Sequence, residues 1–189
     1  GKILTWNKKP INTVYHATNG GVMASVDEAW SINQVPYLQM RLDGPKQWTR
    51  SVDLPLSNEK YLKSFLFSKS EAFGSDHPLF RWERTIESSQ ISKQLKKAQK
   101  VGSSFYPYKI EVLRRGSSGR VTSLKIEGRT GSEILLKLDD IRRVLRELPS
   151  TLFVVKEIKE GKWLFSGGGF GHGAGMSQSG AIELAKKGW

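Results

Sequence analysis

The chain has 189 residues, 38% hydrophobic and 25% charged, a balance that suits a globular protein of one ordinary domain or two small ones. Thirty Lys and Arg against eighteen Asp and Glu leave a net charge of +12, which points to an anionic partner: nucleic acid, an acidic membrane or an acidic polysaccharide. The absence of cysteine excludes a disulfide framework, a thiolate nucleophile and a cysteine metal site, and no stretch approaches the roughly 18 apolar residues of a membrane helix.

Alternation of apolar and polar residues in Lys2–Trp6 and Ile11–His16, on either side of Asn7–Pro10, predicts an opening hairpin. Ala17–Gly21 follows as a loop or tight turn. Val35–Met40 is expected to be extended because of Pro36, and Asp43-Gly44-Pro45 stops it. Ser57 is placed to cap a helix bearing Tyr61, Leu62, Phe65 and Leu66. A strand over Leu79–Ile86 and a lysine-rich helix with Ile91, Leu95 and Ala98 come next. Tyr108–Leu113 and Val121–Ile126 have period-2 patterns around Arg115–Gly119 and predict a second hairpin. Ile134–Leu138 adds a strand, and Asp139 begins a helix that Pro149 ends. Leu152–Val155 and Trp163–Phe165 are short strands. A final helix is expected to bury Ala181, Leu184 and Ala185 and to stop at Gly188. Without a regular βαβ alternation, the predicted class is α+β with a largely antiparallel sheet, several short helices and a C-terminal helix after a Gly-rich loop. The chain opens on Gly1 within what reads as a strand, and residues 1–189 read as a single domain cut short at the N-terminus and at the C-terminus.

Gly167–Gly175 holds six of the nineteen glycines, more than a single turn needs, so something is expected to approach this backbone closely. The following helix N-terminus offers amides to an anion, with His172, Ser177 and Gln178 beside it. The alternative is that the glycines pack the loop under a sheet and His172 is a hydrogen-bonded core residue. Gly169–Ala174 also matches G-x-G-x-x-A, but the dinucleotide fingerprint needs a further strand and an acidic residue about 20 positions on, and the sequence ends first. His16, His77 and His172 form no short ligand pair, so no metal or other cofactor is expected. Lys93, Lys96, Lys97 and Lys100 make a basic helix that reads as a solvated face, and no nucleic acid is expected as partner.

The run Gly169-Phe170-Gly171-His172-Gly173-Ala174-Gly175-Met176-Ser177-Gln178-Ser179-Gly180-Ala181 resembles the G-x-G-H-G-V-G-M-S-Q-Y-G-A signature of SpoIID/LytB proteins at eleven of thirteen positions, with Ala174 for Val and Ser179 for Tyr. Tyr15–Gly21 is similar to the family's Y-H-S-S-S-G-G turn, and Trp30 and Pro36-Tyr37-Leu38 to its W and P-Y-L. Ser118–Val121, Ile141-Arg142 and Ser150–Phe153 are weaker landmarks of the same resemblance.

The resemblance implies an extracytoplasmic lytic transglycosylase acting on peptidoglycan glycan strands stripped of stem peptides, or a non-catalytic amidase enhancer. The implied partners are those anionic denuded strands and an N-acetylmuramoyl-L-alanine amidase. Each muramic acid carries a lactyl carboxylate, which suits a charge of +12. Cleavage without water needs one carboxyl group that protonates the glycosidic oxygen and then removes the C6 hydroxyl proton, leaving a 1,6-anhydro end. In the family that carboxyl is a glutamate upstream of the opening hairpin, near A-Q-A-x-A-x-R-T-Y, a motif this chain lacks. Glu28 is a carboxylate near a signature, but it is expected to be solvated or salt-bridged, so no catalytic residue is assigned. His16, Thr18, Asn19, Gly20, Gly21, Trp30, His172, Gly173, Ser177 and Gln178 are the expected substrate-binding residues. Some members bind zinc through a cysteine in the second turn; with Asn19 there, no zinc is expected. Trp30 and Trp48 are the expected exposed aromatic pair.

Overall fold

The computed structural model describes residues 2–102 and 104–189; Gly1, assigned above to the opening strand, lies outside them. In chain order the elements are β1 (Thr5–Trp6), β2 (Lys9–Pro10), β3 (Tyr15–His16), β4 (Val22–Met23), α1 (Val26–Ala29), β5 (Arg41–Leu42), α2 (Lys46–Ser51), α3 (Glu59–Phe67), β6 (Arg81–Glu87), α4 (Ser88–Lys97), β7 (Pro107–Arg115), β8 (Val121–Gly128), β9 (Glu133–Lys137), α5 (Asp140–Val144), β10 (Phe153–Lys159), β11 (Lys162–Gly168), β12 (Met176–Ser177) and α6 (Gln178–Lys186). The fold is mixed α+β, with mostly antiparallel pairing.

The sheet is divided. One three-stranded sheet has the order β10-β11-β6 and another β7-β8-β9, while β1-β2, β4-β5 and β12-β3 are two-stranded. The period-2 hairpin is β7-β8: alternation on β8 turns Leu124 and Ile126 into the core, and Val121 joins them beside an irregularity in the β7-β8 register, all three at 0% exposure. The amphipathic α4 adds Ile91 and Leu95, and its Ser88 and Ser92 hydroxyls donate to the Pro107 and Phe105 carbonyls. Together with Trp82, Ile141, Phe153 and Phe165 these residues make the larger core cluster. A second cluster around Leu56, Leu62, Phe65 and Leu152 packs α3 against the neck of the glycine segment.

Several expectations shift. The opening hairpin is only β1-β2, turning at Asn7 and Lys8 with φ of 48° and 62°. Tyr15–His16 leaves it and pairs in parallel with Met176–Ser177 instead. Asn58, not Ser57, caps α3, accepting from the Lys60 amide at 3.0 Å. The helix expected to run toward Pro149 stops at Val144, and Leu145 and Leu148 are buried from a following turn. The stripe on α6 is not buried: Gly180 is its buried residue and Ile182 is 57% exposed. Trp48 is also not exposed, since it packs on Phe65 with ring centroids 6.1 Å apart. Among the described residues no helix is long and apolar enough to cross a membrane.

Candidate functional site

The site is built where the two ends of the chain meet. The β3-β12 register sets Tyr15 opposite Met176 and His16 opposite Ser177, and the bridges Thr18–Phe170 and Ala24–Ala174 extend the contact. This brings the turn at residues 17–21 onto the glycine loop, so the two sequence blocks form one structure.

The close approach to the glycine backbone comes from the protein itself. Gly169, Gly171, Gly173 and Gly175 all have positive φ. A Cβ on Gly173 would overlap the Arg120 guanidinium, and one on Gly169 would crowd the Thr18 and Asn19 backbone. Two arginines then hold the turn. Arg120 is 0% exposed and donates to the carbonyls of Asn19 (2.9 Å) and Val22 (3.0 Å). Arg81 donates to the carbonyl of Gly20 at 2.8 Å, as well as to those of Phe65 and Leu66, with its guanidinium over the Phe80 ring. Burial lowers both guanidinium pKa values to about 10, still far above neutrality, so both stay charged. Arg120 had only appeared as part of a weak landmark. Nothing in a turn sequence reveals that its arginine is wholly buried, because arginine is a surface residue by habit.

The ten expected binding residues divide into a frame and a rim. His16, Thr18, Asn19, Gly20, Gly21, Gly173 and Ser177 are buried. Their polar atoms serve the turn: Asn19 donates to Asp43 at 2.6 Å and accepts from the Gly21 amide at 2.8 Å. The Thr18 hydroxyl accepts from the Gly20 amide, and Ser177 caps α6 by accepting from Gly180. The Ser179 amide donates to the Ala17 carbonyl, so two amides of the helix start are engaged within the protein. Trp30 and His172 are half-buried and Gln178 is exposed, and these three face outward from the frame.

The two imidazoles and the Trp30 ring pack together without stacking face to face. His172 lies 5.5 Å from His16, edge-on, and 4.5 Å from the Trp30 ring. His16 Nδ1 donates to the Ala174 carbonyl at 3.0 Å, which leaves Nε2 as a bare acceptor, buried and without a partner among the described residues. Burial, and secondarily the charge of Arg120, lowers its pKa to about 3. His172 is lowered as well, by burial first, although Asp139 opposes the shift. Its Nδ1 accepts from the Ala174 amide at 3.2 Å, a bond that protonation there would break. Both rings are therefore neutral hydrogen-bonding groups near pH 7.

Glu28 is neither solvated nor salt-bridged. It is 4% exposed and lies along a cleft of about 710 Å³, where its carboxylate accepts from the Ser25 amide (3.2 Å), the Ser117 hydroxyl (3.1 Å) and the Ser118 amide (2.9 Å). It thus ties α1 to the β7-β8 turn. Asp139, beside His172, is clamped by Arg142 through both oxygens, at 2.7 and 3.1 Å, and faces Arg143 at 3.4 Å. Among the described residues no cluster of three or more His, Cys, Asp or Glu side chains is placed to hold a metal ion.

A family model described as a domain of unknown function, DUF8618, matches residues 24–175. All of the chain aligns at 29% identity with a Bacillus subtilis (strain 168) protein named amidase enhancer, over 29% of that protein's length. It also aligns at 29% identity with stage II sporulation protein D of Bacillus amyloliquefaciens, over 43% of its length. The chain therefore spans less than half of either relative. The chain belongs to the DUF8618 family of domains of unknown function and, along its whole length, is a distant homologue of the amidase enhancer and stage II sporulation protein D.

Proposed function

We propose that this chain is the glycan-strand-binding part of an extracytoplasmic protein that cleaves peptidoglycan stripped of its stem peptides by lytic transglycosylation. The observation that carries the reading is the meeting of Tyr15–Gly21 with Gly169–Ala181, which leaves Trp30 and His172 packed together, rings tilted by 48°, at the rim of one frame. An aromatic face beside a neutral imidazole suits a sugar ring, with apolar contact on one side and hydrogen bonds on the other. The distant homology to an amidase enhancer and a stage II sporulation protein supports a role in the cell envelope. In this reading the general acid comes from outside these residues, because the Glu28 and Asp139 carboxylates are engaged in holding the fold. The same observation favours a second reading, a non-catalytic module that binds denuded strands and assists a partner amidase.

The test is to incubate this chain and the full-length product of its gene with amidase-treated peptidoglycan and to follow 1,6-anhydromuramic products by mass spectrometry. Anhydro products from the full-length protein alone are expected. Products from neither, with strand binding retained, would leave the binding module as the better account.

A further inference from the structure

A cleft of about 690 Å³ is lined by Arg84, Arg142, Arg143 and Arg146 together with Phe170 of the glycine loop. Its walls come from three separate parts of the chain. Arg84 stands on β6, the other three arginines on α5 and the turn after it, and Phe170 on the loop itself. The loop is fastened to this wall by the Gly171 amide, which donates to the Pro149 carbonyl at 3.0 Å.

Four arginines along one cleft concentrate positive charge there and favour an anion, to the extent that internal carboxylates do not already offset it. Internal relief is partial. Asp139 takes Arg142 in both of its oxygens and approaches Arg143, while Glu147, the acidic residue of the lining, accepts from Gln90 and Gln94. Among the described residues Arg84 and Arg146 have no carboxylate partner; Arg84 donates only to a backbone carbonyl, that of Glu83. Neither guanidinium is spent on a carboxylate, and each keeps N–H groups placed to take one through two parallel hydrogen bonds. Phe170, 43% exposed, supplies an apolar face next to them. A single aromatic beside paired cations fits a sugar chain bearing carboxylates better than a nucleic-acid strand, which is gripped by successive stacking platforms.

We propose that this cleft is a subsite for a carboxylate-bearing sugar chain, in which Arg84 and Arg146 pair with the carboxylates and Phe170 lies against a sugar ring. The proposal rests on the glycan-strand reading above and adds the residues that read the charge. Asp139, clamped by Arg142 of the cleft, also opposes by its charge the lowering of the His172 pKa.

The test is equilibrium binding of denuded glycan strands and of N-acetylglucosamine oligomers of equal length, which lack the lactyl carboxylate. It uses the wild-type chain, the double variant Arg84→Gln/Arg146→Gln and the single charge reversal Arg146→Glu, which changes an exposed residue and leaves the core untouched. The wild type is expected to prefer the carboxylated strands by about tenfold or more. Both variants are expected to lose that preference, while their affinity for the neutral oligomer stays as it was. A wild type that binds strands but shows no preference, or variants that keep it, would overturn the subsite and leave the glycan-strand reading standing. Failure of the wild type to bind either sugar would overturn both. Variants that lose affinity for random-sequence duplex DNA but not for the strands would make the cleft a nucleic-acid site and also overturn the proposal.

Discussion

The Arg120 guanidinium lies in the space that a side chain on Gly173 would need. Gly173 also has φ of +82°, so the position resists any other residue twice, through the backbone and through the overlap. Substitution Gly173→Ala is expected to destabilise the fold by about 3 kcal/mol. Chemical denaturation would measure it, and a loss under about 1 kcal/mol would mean that the loop and Arg120 can move apart.

Glu28 holds two backbone amides and a hydroxyl, so its removal should be felt as lost stability. Glu28→Ala leaves the Ser25 and Ser118 amides without acceptors, at a cost of about 2 kcal/mol. In the full-length protein, strand cleavage per folded molecule is expected to be unchanged. A stable Glu28→Ala protein that has lost cleavage would instead make Glu28 the general acid.

His16 links stability to pH. Its pKa is lowered from 6.5 to about 3 by burial and by Arg120, so between these values the unfolded chain takes up a proton that the folded chain refuses. The contribution is complete above about pH 6.5 and declines as pH falls toward about 3, with a limiting slope of about 1.4 kcal/mol per pH unit. His16→Asn retains a donor for the Ala174 carbonyl but does not titrate. Its stability is expected to fall less steeply over that window. Parallel curves for the two proteins would show that His16 is protonated in the folded state as easily as in the unfolded one.

Trp30 is packed on His172 but only half-buried, which suits a surface for a sugar ring. Trp30→Ala is expected to weaken binding of denuded strands by about tenfold. Titration calorimetry would measure this, and an unchanged affinity would move the strand away from the rim.

The strands of the β7-β8 hairpin and the face of α4 were legible because their apolar residues repeat at the period of the element that buries them. α2 was not, because Trp48 is its one buried residue and no stripe marks it. The α6 stripe misled for the opposite reason: helical spacing shows which face is apolar, not whether anything covers it. The first hairpin was overdrawn because Tyr15–His16 alternates like any strand, yet its partner is Met176–Ser177, more than 150 positions away.

By itself the sequence determined the α+β class, most of the local elements and the two blocks that turned out to touch, since these rest on short-range periodicity and on glycines whose backbone no other residue adopts cheaply. The tertiary structure decided which side chains frame the site and which face outward. It placed Arg120 and Glu28 inside, turned Thr18 and Asn19 into supports of their own turn, and gathered four arginines from β6 and the α5 region along one cleft. Burial and charge pairing depend on contacts between segments far apart in the chain, and no local pattern encodes them.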